Sequence, residues 1–308
     1  MTVAESPLVS DAVAEPHRRS LRHRLADRGV DRLLLLCLPA SLFVLIFFIY
    51  PSIYGIVLSF RPLKPVGPFG DYTRFFGDPF LRGTIINTFR IALPTAVFNV
   101  LAAIPLAVVM RGAVRGKRAI NTVLVVPISL GTVLVADGLL NYLGPAGWLN
   151  RVLMAIGVTS HPLQLLHNQW GVMLSLVITG FPFAFLLTLS YISGIDPKME
   201  AAAATLGAGP WRQFWRVTLP LLVPGLTITF CLTFVLAFSV FPSATMLGNP
   251  NGDSHVLAVA AANAAFQQYD FPMASTISVI AAAIELLVIG AVLVFRSRFY
   301  AGSTTGKG

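Results

Sequence analysis

The sequence has very few charged residues for its length. Asp, Glu, Lys and Arg make up 11% of the 308 residues, whereas soluble domains usually carry about 25%. Hydrophobic residues make up 56%, and the mean hydropathy is +0.76. Because so little charge cannot keep a chain of this size in water, the composition excludes a soluble globular protein. It predicts a protein that is solvated largely by lipid.

Cysteine and the common catalytic motifs are also scarce or absent. Cys37 and Cys231 lie far apart inside apolar stretches, so neither a metal or redox pair nor a disulfide framework is predicted. The sequence contains no Gly-x-x-x-x-Gly-Lys-Ser/Thr phosphate loop, no His-Glu-x-x-His and no Gly-x-Ser-x-Gly. These absences argue against ATP binding by this chain and against protease or acyl-transfer chemistry. We therefore expect no enzymatic activity and no cofactor.

Long apolar runs are what the sequence does contain. A transmembrane helix needs about 20 predominantly apolar residues, and six segments reach that length. Prolines inside several of them predict kinks, above all in the first and fifth, because membrane helices tolerate proline. The predicted fold is an all-α polytopic membrane protein with a basic tail (1–32), a six-helix domain (33–295) and a short tail (296–308). The predicted spans are 33–58, 85–110, 119–143, 170–192, 219–247 and 274–295.

Basic residues are distributed unevenly between the two sets of loops. Sixteen of the 22 lysines and arginines lie in the tails or in the segments that follow spans two and four, and six lie in the other loops. By the positive-inside rule, both termini are predicted to be cytoplasmic in a protein of the cell membrane. The net charge of +9 is explained by this orientation. Since no basic face is interleaved with aromatic residues, no nucleic-acid partner is predicted.

The segment between spans four and five, residues 196–220, has an unusual pattern and is called the 196–220 loop below. Asp196 and Pro197 are suited to cap and start a helix, and the four alanines after Glu200 extend it. Gly207 stands where a left-handed C-terminal cap is needed, and Pro210 can begin a second helix. The pattern predicts a helix–turn–helix at the membrane surface that docks into another protein. The alternative is an amphipathic helix that lies on lipid.

This loop resembles the cytoplasmic EAA loop of permease subunits in binding-protein-dependent ABC importers. Six spans with the loop between the fourth and fifth extend the resemblance over most of the chain. Counted from Gly207, the position of the family's usual glutamate holds Ala201, and Glu200 lies one residue earlier. The residues that carry the resemblance are Glu200, Ala201, Ala202, Gly207, Val217, Leu219 and Pro220.

The resemblance implies the architecture of a type I ABC importer permease and a set of partners. These are a second permease subunit, identical or different, two ABC ATPase subunits that hydrolyse ATP, and an extracytoplasmic solute-binding protein. In this family the loop helix sits in a groove on the ATPase. Closure of the ATPase pair then switches the permease halves between two states. The 196–220 loop is therefore predicted to be the ATPase-coupling site.

Polar residues inside the spans are candidates for a translocation path, because ionisable groups are costly in lipid. Asp137 in span three, with Asn141 one turn later on the same face, and Glu285 in span six are the clear cases. They either line a polar path for the solute or make hydrogen bonds and ion pairs between helices. Asp270, before span six, is either a helix cap or a contact for a binding protein.

A second, weaker resemblance indicates the class of substrate. Residues 247–250 and 266–275 resemble the turn and the Asp-aromatic-Pro-x-Ala stretch of the polyamine, iron(III) and phosphonate branch of these permeases, with the sugar branch second. Two other classes stay open. An ion-coupled secondary transporter fits less well because no repeated half is detectable. A membrane scaffold or enzyme subunit would need neither an ATPase nor an ion gradient.

Overall fold

The computed structural model describes residues 32–65, 67–112, 116–249 and 252–299, and every regular element in these ranges is helical. Six of the described helices are long and apolar enough to cross a membrane. They overlap the six predicted spans, so the all-α polytopic fold is confirmed. The chain divides into two compact units between Tyr54 and Gly55. Most of the predicted basic tail (1–31) and residues 300–308 lie outside the described ranges.

We number the α-helices in chain order. Spans one to six contain α1 with α2, α4, α5, α7, α9 with α10, and α13, respectively. The described helices are α1 (Arg32–Val44), α2 (Tyr50–Leu58), α3 (Gly70–Gly77), α4 (Pro79–Arg111), α5 (Lys117–Leu143), α6 (Trp148–Ala155), α7 (Gln169–Ser193), α8 (Pro197–Thr205), α9 (Pro210–Gln213), α10 (Leu219–Phe238), α11 (Pro242–Met246), α12 (Leu257–Ala262) and α13 (Phe271–Phe299). Three π-helical turns join or extend them: Leu45–Ile49, Phe214–Thr218 and Asn263–Gln267.

Two of the π-helical turns are explained by a proline that follows them. Pro51 lies two residues after the turn Leu45–Ile49, and Pro220 lies two residues after the turn Phe214–Thr218. A proline ring clashes with the carbonyl four residues earlier, which in both cases lies inside the π turn. A wider turn makes room for the ring while the helix continues. The predicted irregularities of spans one and five therefore have a local cause.

The fifth span ends earlier than predicted, and the third span is kinked. The fifth span was predicted to reach residue 247, but α10 ends at Phe238 and Pro242 begins the separate short helix α11. The third span is kinked at Gly131, where φ is 74° and ψ is 168°. This kink lies one turn after Pro127. Only glycine adopts that backbone conformation readily. The position of the kink is therefore explained by Gly131 together with the proline before it.

The core of the second unit is built from α4, α7 and α10, which pack against one another. Ala92, Ala96, Ala103 and Ala107 of α4 are fully buried. Their spacing places them along one face of the helix. Small residues on such a face let neighbouring backbones approach closely, which is how helices associate in membranes. The three helices therefore form a tightly packed frame.

One hydrophobic cluster lies where this frame meets the 196–220 loop. It contains Met110, Ile195 and Leu222, with exposed fractions of 1%, 9% and 0%. Each of the three lies within two residues of a loop boundary or of the end of α4. The cluster therefore anchors both ends of the 196–220 loop against the last turn of span two.

The other end of the bundle is closed by the short helices. The Leu257 N–H donates to the Thr88 hydroxyl at 3.0 Å, and the buried hydroxyls of Ser175 and Ser243 are 2.9 Å apart. These contacts tie the segment between spans five and six to spans two and four.

Candidate functional site

The first arm of the 196–220 loop is a capped helix, as predicted. The Asp196 carboxylate accepts a hydrogen bond from the Lys198 N–H at 2.9 Å, and Pro197 occupies the first helical position. Proline is favoured there because its missing N–H would have had no partner within the helix. The helix α8 then runs to Thr205.

The end of α8 is a left-handed glycine cap. Gly207 has a φ of +78°. Its N–H donates to the Ala204 carbonyl at 2.9 Å, and the Ala208 N–H donates to the Ala203 carbonyl at 3.0 Å. This pair of bonds is the Schellman arrangement, which satisfies the last carbonyls of a helix and reverses the chain. Gly207 is therefore needed for the sharp exit from α8.

The second arm begins at Pro210 and continues through the π turn into α10. The Gln213 side-chain amide donates to the Ala208 carbonyl at 2.6 Å, which joins the start of this arm to the turn. Trp211, Phe214 and Trp215 form an aromatic group on it, with ring centroids 5.6 to 6.5 Å apart. The predicted second helix is thus present, and it is continuous with span five.

Glu200 makes charge-assisted contacts that are internal to the chain. Its Oε1 accepts a hydrogen bond from Arg111 Nη1 at 2.7 Å and another from the Thr218 hydroxyl at 2.5 Å. Arg111 Nη2 donates to the Ile195 carbonyl at 2.6 Å. We call these four residues the Glu200 junction. Because the Arg111 and Glu200 side chains are only 16% and 29% exposed, these charge-assisted bonds are partly shielded from water.

The residues beside Glu200 on α8 face outward. Ala201 and Ala202 are exposed, and the Leu206 side chain at the end of the helix is 89% exposed. Met199 is 50% exposed. The described chain therefore leaves a small apolar surface on α8, which consists of Met199, Ala201, Ala202 and Leu206. It is called the α8 surface below.

The remaining loop residues lie at the start of α10. Leu219 is half-buried, and Pro220 is exposed beside the π turn. Sequence reasoning identified Leu219, Pro220 and Glu200 but missed Arg111 and Thr218 as their neighbours. The only signal for Arg111 was its position directly after an apolar span, which the positive-inside rule also explains.

The intramembrane candidates are not brought together by hydrogen bonds or ion pairs among the described residues. Asp137 is exposed on α5, and the Asn141 amide donates to its backbone carbonyl at 3.1 Å. Glu285 on α13 is half-buried, and its Oε1 is buried without a hydrogen-bond partner in the described part of the chain. The shared face of Asp137 and Asn141 is therefore present.

Asp270 caps span six. Its Oδ1 accepts a hydrogen bond from the Met273 N–H at 3.1 Å, and its Oδ2 pairs with Arg74 at 3.0 Å. The neighbouring Asp71 carboxyl is 5% exposed, and its Oδ2 has no hydrogen-bond partner among the described residues. Burial, and then the nearby Asp270 carboxylate, raise the pKa of Asp71 above its ordinary value, although Arg74 opposes this. Within the described ranges, no three His, Cys, Asp or Glu side chains are grouped so that they could hold a metal ion.

Residues 20–300 match the family described as "Binding-protein-dependent transport system inner membrane component". The chain belongs to this family. It is therefore an ABC importer permease and a multi-pass inner membrane protein, as the resemblance of the 196–220 loop implied.

Individual relatives of this importer permease differ in what they are named for. The "Probable sulfate transport system permease protein cysT" of Prototheca wickerhamii is 30% identical over 203 residues, which is 66% of this chain and 78% of that protein. The "Spermidine/putrescine transport system permease protein PotB" of Haemophilus influenzae is 30% identical over 179 residues, 58% of this chain and 62% of that protein. The match therefore extends to permeases named for unlike solutes.

A solved structure agrees with the fold. A chain of a bacterial ABC transporter "involved in the import of the acidic polysaccharide alginate" superposes with a TM-score of 0.76. The match covers 91% of this chain and 99% of that chain, at 20% sequence identity. At this identity the likeness supports the type I importer permease architecture and not the substrate.

Proposed function

We propose that this permease couples to a separate ABC ATPase through the 196–220 loop and forms half of a solute pathway. The observation that carries the proposal is the α8 surface. Ala201, Ala202 and Leu206 are exposed on a helix whose two ends and Glu200 are held by contacts within the chain. A helix that is braced on one side and apolar on the other is suited to a groove on a partner.

The docking contact proposed for this chain is apolar and not charged. Ala201 stands at the family's usual glutamate position, and Glu200 is engaged by Arg111 and Thr218. We infer that the ATPase contacts the α8 surface mainly through small and apolar side chains. Trp211 and Trp215, which are 74% and 50% exposed, supply a second apolar contact beside it.

The same geometry supports the orientation that the positive-inside rule predicts. Arg111 and Glu200 belong to two different segments that were predicted to be cytoplasmic, and they form an ion pair. Arg74 and Asp270 belong to two segments predicted to lie outside, and they also form an ion pair. We propose that the end with the 196–220 loop, and both termini with it, faces the cytoplasm. The end with Arg74 and Asp270 then faces an extracytoplasmic solute-binding protein.

A second permease subunit, identical or different, completes the pathway in this proposal. An exposed carboxylate on a span is costly in lipid, so the face of α5 that carries Asp137 and Asn141 is assigned to this pathway or to the contact with the second subunit. Glu285, with its unpartnered buried oxygen, is assigned in the same way. The support is the exposure of Asp137 and Asn141 and the absence of a partner for Glu285 among the described residues.

For the substrate we propose a small solute that the binding protein delivers, with the polyamine, iron(III) and phosphonate class ahead of sugars. The supporting features are the stretch 266–275 and the relative named for spermidine and putrescine. Because another relative is named for sulfate, oxyanions should be tested together with these solutes. A thermal-shift screen of the cognate binding protein with spermidine, ferric ion, phosphonate, sulfate and a sugar separates the classes.

The coupling proposal is tested by co-purification and uptake. Ala202→Trp adds bulk to the α8 surface, and Gly207→Asp places a carboxylate beside it. Both variants should insert normally, lose the co-expressed ATPase subunits and lose uptake. Ala146→Trp, at an exposed alanine just after span three, is the matched control and should keep the ATPase. The proposal fails if the Ala202 and Gly207 variants retain the ATPase and full uptake. It also fails if uptake survives ATP depletion and collapses with the ion gradient, which is the behaviour of a secondary transporter.

A further inference from the structure

The Glu200 junction brings together three segments that are far apart in the sequence. Arg111 is the last residue of α4, Glu200 lies in the first turns of α8, and Thr218 is the last residue of the π turn before α10. Both Arg111 and Thr218 donate to the same carboxylate oxygen of Glu200. A single acidic side chain therefore links the loop helix to the end of span two and to the start of span five.

Arg111 is the residue that holds the junction to the frame. One nitrogen of its guanidinium binds Glu200 and another binds the Ile195 carbonyl, at 2.7 and 2.6 Å. The planar guanidinium can serve two acceptors at once, whereas a lysine ammonium lacks this fixed fork. Ile195 lies just before the cap of α8, so Arg111 fixes both the position and the direction of that helix.

The junction and the α8 surface are separate sets of side chains. Glu200 and Ala203 are half-buried, whereas Ala201, Ala202 and Leu206 are exposed. A partner on the α8 surface can therefore bind without breaking the bonds of Glu200. A force applied by that partner reaches α4 and α10 through those bonds, since both helices pack in the same frame.

We propose that Glu200 and Arg111 are positioning residues that transmit movement of α8 to spans two and five during transport. The inference rests on the proposed docking of the 196–220 loop on an ATPase. Interfaces and packed cores switch between discrete arrangements, so a helix that is held at both ends and at its middle moves its neighbours with it. Without the junction, α8 is joined to the frame by its chain ends and cap contacts, and its movement is partly lost in bending.

The test compares the solute moved per ATP hydrolysed in the assembled transporter. Wild type and the variants Glu200→Gln and Arg111→Lys are each reconstituted in proteoliposomes with the co-purified ATPase and the cognate binding protein. Both variants should retain the ATPase, because the α8 surface is unchanged. Solute moved per ATP should fall at least fivefold, and the exchanged pair Arg111→Glu with Glu200→Arg should restore part of it.

Two further variants make the result decisive. Arg118→Lys changes an exposed arginine that has no ion pair among the described residues, and it should behave like wild type. Thr218→Val removes one hydroxyl donor and nearly preserves the shape of the side chain. It should give an intermediate loss, and it provides the readout if Glu200→Gln or Arg111→Lys is lost from the membrane. A merely structural brace would lower thermal stability while leaving the ratio of solute to ATP unchanged.

The inference is overturned if Glu200→Gln and Arg111→Lys move as much solute per ATP as wild type. It is also overturned if Glu200→Gln loses the ATPase as completely as Gly207→Asp, since Glu200 would then be a contact of the ATPase. Failure of the underlying docking proposal looks different. In that case the ATPase is absent from wild type, or it remains bound to both the Ala202→Trp and Gly207→Asp variants.

Discussion

Replacing Gly207 with alanine tests the turn at the end of α8 in isolation from packing. Gly207 has a φ of +78°, and a Cβ built on it would meet no atom within 4 Å. The substitution therefore adds no steric clash with neighbouring residues. Its cost is the left-handed backbone conformation alone, which L-residues other than Asn and Asp rarely adopt.

The size of the effect follows from that conformation. Holding an alanine in the left-handed region costs roughly 1–2 kcal/mol, and this energy opposes the folded form of the turn. If only the folded turn binds the ATPase, the affinity should fall by up to about 5- to 30-fold, and the full factor is reached when the free variant's turn is mostly unfolded. Gly207→Asn should lose less, because asparagine tolerates this region.

The assay is the dissociation constant of the purified ATPase for the permease, together with hydrogen exchange of the Ala208 amide, which donates to the Ala203 carbonyl. Gly209→Ala is the matched control. Gly209 has a φ of −65° and open space around it, so alanine fits there without strain. The reasoning is refuted if the two alanine variants lose the same affinity, or if the Ala208 amide exchanges no faster in Gly207→Ala.

Two further predictions concern the opposite end of the bundle, and both are measured by thermal unfolding in detergent. The raised pKa of Asp71 means that the folded protein binds a proton at this carboxyl more tightly than the unfolded chain. The protonated carboxyl therefore contributes to the free energy of unfolding at low pH, and this contribution is lost as pH rises from about 4 through the raised pKa. Asp71→Asn should be more stable than wild type at about pH 7, and its advantage should shrink near pH 4. An equal advantage at both pH values would contradict this. Thr88→Val should cost about 1–3 kcal/mol, because it leaves the buried Leu257 N–H without its acceptor. Thr95→Val, whose hydroxyl donates to a carbonyl of its own helix, should cost clearly less, and similar costs for the two would count against the assignment.

The helix–turn–helix of the 196–220 loop could be predicted because its signals are local. Asp196 caps through the second residue after it, and Gly207 closes bonds to carbonyls three and five residues before the donors. Such contacts depend on short stretches of sequence, in which propensity and capping rules apply directly. The six spans were predictable for the same reason, since each is a long and predominantly apolar run.

The Glu200 junction could not be predicted, because its partner depends on how the spans pack. Arg111 and Glu200 are 89 residues apart, and no periodicity relates the end of α4 to the start of α8. Before the structure, Glu200 was predicted to be an ATPase-coupling residue. In the structure Glu200 accepts a hydrogen bond from Arg111 of the same chain, and the exposed alanines of α8 lie one and two positions later.

The structure also bears on two other predictions. Asp270 was either a helix cap or a contact for a binding protein, and in the structure it caps α13 and pairs with Arg74. The predicted fifth span was too long because hydropathy alone does not reveal the helix break between Phe238 and Pro242. Hydropathy identifies which residues avoid water, whereas the end of a helix depends on backbone partners.

The central claim, that the α8 surface docks on the ATPase, is tested most directly by site-specific photocrosslinking. A photoreactive amino acid is placed at Leu206, which is 89% exposed, or at Ala146 just after span three, in the full transporter. The claim predicts a crosslink to the ATPase from position 206 and none from position 146. Retention of the ATPase without any crosslink from position 206, or equal crosslinks from both positions, would contradict it.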